Sequence, residues 1–233
     1  MCGRYTAAAD LREVVTTLGV EEVIASLDQP QYNIAPTQLI SAVRQDGEKR
    51  QLDLFSWGLQ LDWANTKLTP SNLINARVES VTTKPSFREA AKYRRCLIPA
   101  TGWYEWQSTI QSAGRKQPYY FSSSTNKVIA FAGIYEVNQK GVKSAAIITK
   151  NANEVVAPIH DRMPLILTEN QFEDWLDPTA NDSNSVVAMA LNTIPPDLLG
   201  YPVSPEVNSA RAQGAQLIQP AAPEPTQPSL FEP

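Results

Sequence analysis

Apolar and polar residues change rhythm several times along this chain, and each change marks an element. Residues 10–18 and 20–27 read as two short amphipathic helices broken at Gly19, with Asp10 placed to cap the first. From residue 39 the alternation becomes strand-like: 39–44 and 50–54 form two such segments joined across Asp46-Gly47, a hairpin signal. Further strands are predicted at 95–98, 103–107, 118–122, 128–134 and 145–149, all short and separated by Gly, Ser, Asn or Lys. Helices interrupt them at 86–93 and 169–176, the second opened by Thr168 with Gln171 three residues on, the spacing of a capping box. Many short strands with few helices predict an α+β class: a curved, mostly antiparallel, barrel-like sheet with short helices at its flanks. Residues 1–220 carry this pattern. Residues 221–233 hold four prolines and no apolar residue between Ala222 and Leu230, so they read as a disordered, extended tail.

Composition narrows the picture modestly. The 233 residues are 42% hydrophobic and 19% charged, as in a soluble domain with a sizeable core. Two cysteines give no disulfide framework, and no apolar run is long enough to span a bilayer, so a cytoplasmic location and no membrane partner are expected. A net charge of −4 and a pI near 5.1 argue against a general nucleic-acid binder, so a DNA partner would need a local basic patch.

Four segments carry chemistry. At the start, Met1 precedes a residue small enough for the methionine to be removed in maturation, which would leave Cys2 as the terminus. A terminal cysteine offers an α-amine with a pKa of about 8 and a thiol of about 8.5 on adjacent carbons. The amine can condense with an aldehyde and the thiol can then close on the imine carbon, giving a thiazolidine. An ordinary residue in a frayed terminus is the plain alternative. Asn75, Arg77 and Glu79 alternate, so in an extended chain an amide, a guanidinium and a carboxylate face one way, as they also would on a solvated strand. In 102–106, Glu105 lies among Trp103, Tyr104 and Trp106; a carboxylate in apolar surroundings has a raised pKa and suits general acid–base work, unless it is simply on a strand's outer face. His160 is the only histidine, so a metal site is not expected, and a lone histidine is as readily structural as catalytic.

Taken in order, Cys2-Gly3-Arg4, 32–36 (Tyr-Asn-Ile-Ala-Pro), Trp57-Gly58, 75–79, 102–106, 160–164 and 214–218 resemble the SOS response-associated peptidase (SRAP) family, whose members shield abasic sites in single-stranded DNA. The resemblance spans about residues 2–220. It implies that Cys2 joins the ring-opened aldehyde of an abasic site covalently, that Asn75 holds Cys2 and the lesion in register, and that Glu105 and His160 move protons. The peptidase activity in the family's name would here be removal of Met1 or release of the adduct. No cofactor is called for, and a monomer is expected.

The resemblance also places Arg4, Arg77 and Arg162 against phosphates, and Trp106 and Trp63 beneath bases. Where relatives often carry another arginine this chain has Lys84-Pro85, so Lys84 or Arg88 would substitute. Two other readings stay open. One is a class II amidotransferase, which also begins Met-Cys-Gly but needs glutamine-site motifs not found here; the other is a single-stranded DNA-binding protein that forms no bond. In the tail, Gln227, Leu230 and Phe231 resemble the peptide by which bacterial repair proteins dock on the sliding clamp, with Pro228 a departure from its commonest form.

Overall fold

The computed structural model describes residues 2–62, 73–108, 116–125, 127–192 and 197–221; it begins with a short strand, β1 (Tyr5–Ala7), and helix α1 (Leu11–Leu18). Asp10 caps α1 as its side chain predicts, accepting from the Glu13 amide at 2.8 Å. Gly19 ends it in the left-handed conformation (φ 62°), where a side chain would be strained and a Cβ would also crowd the Arg50 guanidinium. The second helix expected at 20–27 does not form. The chain there makes an edge strand, β2 (Glu22–Val23), because the free edge of the hairpin beyond offers its carbonyls: Glu21 N–H donates to Arg50 O and Ile24 N–H to Leu52 O, both at 2.9 Å.

After β3 (Gln31–Ile34) comes the hairpin, β4 (Leu39–Asp46) and β5 (Lys49–Trp57), turning at Gly47 (φ 60°). Both strands run past their predicted ends. Then follow β6 (Asn75–Arg77), α2 (Arg88–Tyr93), β7 (Arg95–Ala100), β8 (Gly102–Ser108), β9 (Lys116–Ser123), β10 (Ile129–Val137) and β11 (Lys143–Asn151). The chain continues through β12 (Arg162–Pro164), β13 (Ile166–Leu167), α3 (Phe172–Leu176), α4 (Ser183–Leu191) and β14 (Leu198–Pro202), with 3-10 turns at Glu169–Gln171, Pro205–Asn208 and Ala215–Ile218. At the turn before α3, Thr168 N–H donates to Gln171 Oε1 at 3.1 Å, one half of the expected capping box.

Two sheets result. One runs β14-β9-β8-β1-β3, and the other β12-β11-β10-β7-β4-β5-β2. Most neighbours are antiparallel, but β5 also pairs with β11 in parallel, Ser56 opposite Ser144, and this closes β5, β4, β7, β10 and β11 into a ring. The barrel-like character expected from the sequence lies in that closure. Period-two alternation divides the core accordingly. Val43, Leu97, Ala132, Ile134, Ala146 and Ile148 face the helices with Leu18, Phe87, Phe172 and Trp175. Ile40, Phe55, Trp57, Cys96, Phe131 and Ile147 face the smaller sheet with Cys2, Tyr5, Ile34 and Trp103.

Two devices hold the helices and the smaller sheet in place. The buried Arg95 guanidinium donates to Ala91 O, Lys92 O, Trp175 O, Asp177 O and Ala180 O, so one cation covers the carbonyl ends of both α2 and α3. Gly102 lies so close to Phe121 O and the Tyr120 hydroxyl that any Cβ there would collide with both. Among the described residues no helix is long and apolar enough to cross a membrane. Trp63 and the tail motif at Gln227, Leu230 and Phe231 lie outside the described residues.

Candidate functional site

The site forms where the start of the chain enters the gap between the two sheets. Cys2 is fully buried there, with Tyr5, Ile34 and Trp57 in the same apolar cluster. Its backbone oxygen accepts from Asn75 Nδ2 at 2.7 Å. Asn75 is held in turn because β6 lies parallel to β11, Asn75 opposite Ile147, and because Trp57 Nε1 and the Ile147 amide both donate to Ile74 O at 3.0 Å. Asn75 Oδ1 is buried and has no hydrogen-bond partner among the described residues. Burial pushes the Cys2 thiol well above the ordinary thiol range and the charge of Glu105 pushes it further, while the amino terminus and the Arg4 amide pull it down. The resting group is therefore a thiol, not a thiolate.

Glu105 lies on β8, 2% exposed, and burial raises its pKa to about 7. The amino terminus opposes that rise and Asp161 adds to it. A carboxyl poised near neutrality can both give and take a proton. His160 approaches from the turn before β12. Its Nδ1 accepts the Arg162 amide at 2.9 Å, which leaves the ring proton on Nε2, and Nε2 stands 3.9 Å from Glu105 Oε2. Burial and the positive amino terminus lower the His160 pKa, against the pull of Asp161, whose Oδ1 lies 3.0 Å from Nδ1. The lowered pKa favours the neutral imidazole, and the Arg162 amide at Nδ1 favours its N–H on Nε2, toward Glu105, against Asp161 Oδ1 and Arg162 O, 3.3 Å from Nδ1. Cys2, Asn75, Glu105 and His160 stand together, although they come from four separate stretches of the chain.

The residues expected to touch DNA divide. Arg77 is exposed on β6, beside β11. Arg4 is half-buried and donates to Asn33 Oδ1 at 2.8 Å and Val207 O at 2.9 Å, with its guanidinium over the Trp106 ring; Trp106 Nε1 donates to Asn208 Oδ1 at 2.7 Å. Both side chains therefore hold the 205–208 turn against the smaller sheet, with only part of each open to a ligand. Arg162 is 5% exposed and turned inward: its guanidinium meets Glu79 Oε1 at 2.6 Å and Oε2 at 2.9 Å, Asn151 Oδ1 at 2.7 Å and Thr149 O at 2.7 Å. With both terminal nitrogens engaged, it has no open fork to offer a phosphate. Lys84 packs its ammonium over the Phe87 ring, and Arg88 pairs with Glu89.

Sequence reasoning passed over several members. Asn33, buried, ties β3 to the C-terminal turns through Ser209 O and Ala212 O. Lys116, at the start of β9, lies near enough to His160 to lower its pKa. Asp161 had no signal beyond standing next to the histidine. Among the described residues no three His, Cys, Asp or Glu side chains gather as a metal would require.

Comparison with known proteins finds relatives along nearly the whole chain. The chain is 33% identical over 224 residues to abasic site processing protein YoqW of Bacillus subtilis (strain 168), covering 94% of this chain and 99% of that one. It is 29% identical over 229 residues to abasic site processing protein YedK of Escherichia coli (strain K12), covering 94% and 100%. A crystal structure of a Bacteroides thetaiotaomicron protein shares the fold with a TM-score of 0.79 at 24% identity, covering 95% of this chain and all of that one. A family model, SOS response associated peptidase (SRAP), matches residues 1–210, and the chain belongs to that family.

Proposed function

We propose that the protein processes abasic sites in single-stranded DNA by bonding to them through Cys2 after loss of Met1. The observation that carries this reading is a buried thiol, held by Asn75 through its own backbone, next to an imidazole and a carboxyl that can exchange protons near neutrality on its own. Relatives that cover nearly all of this chain are named as abasic site processing proteins.

The resting thiol sets the order of events. The freed α-amine adds first to the C1′ aldehyde of the ring-opened sugar, and water leaves to give the imine. The Cys2 sulfur then adds to the imine carbon while its proton passes to the nitrogen, closing a thiazolidine with no net loss of atoms. Glu105 carries the proton released by the C1′ hydroxyl to the ring oxygen as the sugar opens, with the His160 Nε2–H hydrogen-bonding that oxygen, and then takes the proton from the attacking amine and returns it to the departing hydroxyl. Arg77 holds a phosphate near the opening, and Asn75 Oδ1 is available to the incoming sugar. The protein acts as a monomer in this scheme. Its tail motif, Gln227 to Phe231, would bring it to the sliding clamp, which binding of a 221–233 peptide to purified clamp tests directly.

The covalent step is tested by incubating the mature protein with a single-stranded oligonucleotide bearing one abasic site, then running a denaturing gel. A heat-stable shifted band is expected for the wild type and no such band for Cys2→Ala. Persistence of that band in Cys2→Ala would end the proposal.

A further inference from the structure

Glu79 is the member of the 75–79 segment to which the proposed chemistry gives no task, and its surroundings supply one. Its side chain is half exposed, yet both carboxylate oxygens grip the guanidinium of a side chain that is 6% exposed: Oε1 meets Arg162 Nη1 at 2.6 Å, and Oε2 meets Nη2 at 2.9 Å. This is the paired geometry that makes arginine–carboxylate contacts strong and directional. Asn151 Oδ1 and Thr149 O, both on β11, complete the cage. The same residue, Arg162, donates its backbone N–H to His160 Nδ1 at 2.9 Å. The histidine sits in an irregular turn outside the sheet, where this amide favours the ring proton on the far nitrogen, toward Glu105, while Arg162 O at 3.3 Å and Asp161 Oδ1 at 3.0 Å from Nδ1 favour it on the near one.

We propose that Glu79 is a positioning residue for His160: by clamping the Arg162 side chain it fixes the amide that holds Nδ1, and so keeps the ring proton on Nε2, facing Glu105. The chain of contacts runs from Glu79 through Arg162 to His160, and Glu79 touches no reacting atom. Other charged groups bear on the ring from several sides. Glu105 faces it from β8, Lys116 from β9 and Asp161 from its own turn, and the positive amino terminus lowers its pKa. None of these supplies a fixed donor to Nδ1. Without the clamp, Asp161 Oδ1, 3.0 Å from the same nitrogen, would compete for it and favour a proton there, the tautomer that turns a lone pair toward Glu105.

The inference rests on the proposed role of His160 at the sugar oxygen in adduct formation, but its main readout does not. Because the chain has one histidine, long-range proton–nitrogen NMR of the free, full-length protein reports this ring's tautomer without assignment. The wild type is expected to show the Nε2–H form near pH 7.5. Glu79→Ala should move the ring to a mixture of tautomers, and Glu79→Gln, which keeps one acceptor, should fall between. At saturating abasic-site oligonucleotide, Glu79→Ala should slow adduct formation by about 10- to 100-fold, the usual consequence of a misplaced catalytic group. Affinity for an undamaged single strand should be unchanged. If Glu79→Ala keeps the wild-type tautomer, or weakens strand binding while the saturating rate is intact, the assignment is overturned. If it does not fold, the Glu79→Gln spectrum decides alone. If instead the wild type forms no adduct at all, the reading of the site fails and the tautomer result stands on its own.

Discussion

Replacing Glu105 with glutamine should make the protein more stable, and only above a definite pH. An ordinary glutamate has a pKa of 4.5, and burial on β8 raises this one to about 7. Below pH 4.5 the carboxyl is protonated whether the chain is folded or not, so it carries no penalty. Between 4.5 and 7 the unfolded chain ionises while the folded one resists, and stability falls steadily. Above 7 both forms are ionised and the full cost is present. A rise of that size corresponds to about 3 kcal/mol. Glutamine is neutral throughout and nearly the same shape, so Glu105→Gln should match the wild type at pH 4 and exceed it at pH 8. For a chain of this length, that difference moves Tm by about 6–12 °C. Scanning calorimetry of both proteins from pH 4 to pH 8 measures it, and adduct assays in parallel should show the stabler variant to be the slower one. A Tm difference that is the same at pH 5 and pH 8 would show that burial does not hold this proton, and the acid–base role would lose its physical basis.

Two further outcomes follow from the geometry. Arg77→Ala should weaken binding to undamaged single strands and reduce the slope of log affinity against log salt by about 0.7, the signature of one lost phosphate contact; an unchanged slope in a fluorescence titration would place Arg77 off the DNA path. Arg95→Met should destabilise by about 3 kcal/mol or more, because five carbonyls at the ends of α2 and α3, those of Ala91 and Trp175 in buried bonds and the other three part-buried, lose their donor together. A melting shift under about 2 °C would mean that water replaces the guanidinium there.

The sequence revealed some of these features and concealed others for physical reasons. Elements fixed by local chemistry were legible: Asp10 with Gly19 bounds α1, Asp46-Gly47 turns the hairpin, and Thr168 with Gln171 opens the helical run before α3. Residues 20–27 misled because their amphipathic pattern is real but the carbonyls of β5, distant in sequence, claim their amides. Helix α4 escaped notice, although Asp182 caps it by accepting from the Asn184 and Ser185 amides. At the candidate site, residue types singled out Cys2, Glu105 and His160, since a terminal thiol, an acid among aromatics and a lone histidine are each conspicuous alone. What Arg162 faces was not legible. Alternation placed Glu79 beside Arg77, but the carboxylate's partner comes from 83 residues away across β11.

The parallel joint between β5 and β11 also has a bearing on biosynthesis. Ser56 leaves the ribosome long before Ser144, and at ordinary elongation rates the interval is on the order of ten seconds. Through that time the ring is open and β6, which has β11 as its only strand partner among the described residues, has nothing to lie against. Asn75 therefore cannot take hold of Cys2 until more than half the chain exists. Until then, a terminus freed of Met1 would meet cellular aldehydes only as any free aminothiol does. Under the proposed chemistry, late closure would confine aligned, proton-assisted reactivity to finished molecules, with slow, non-local strand pairing the step at which a newly made chain becomes competent.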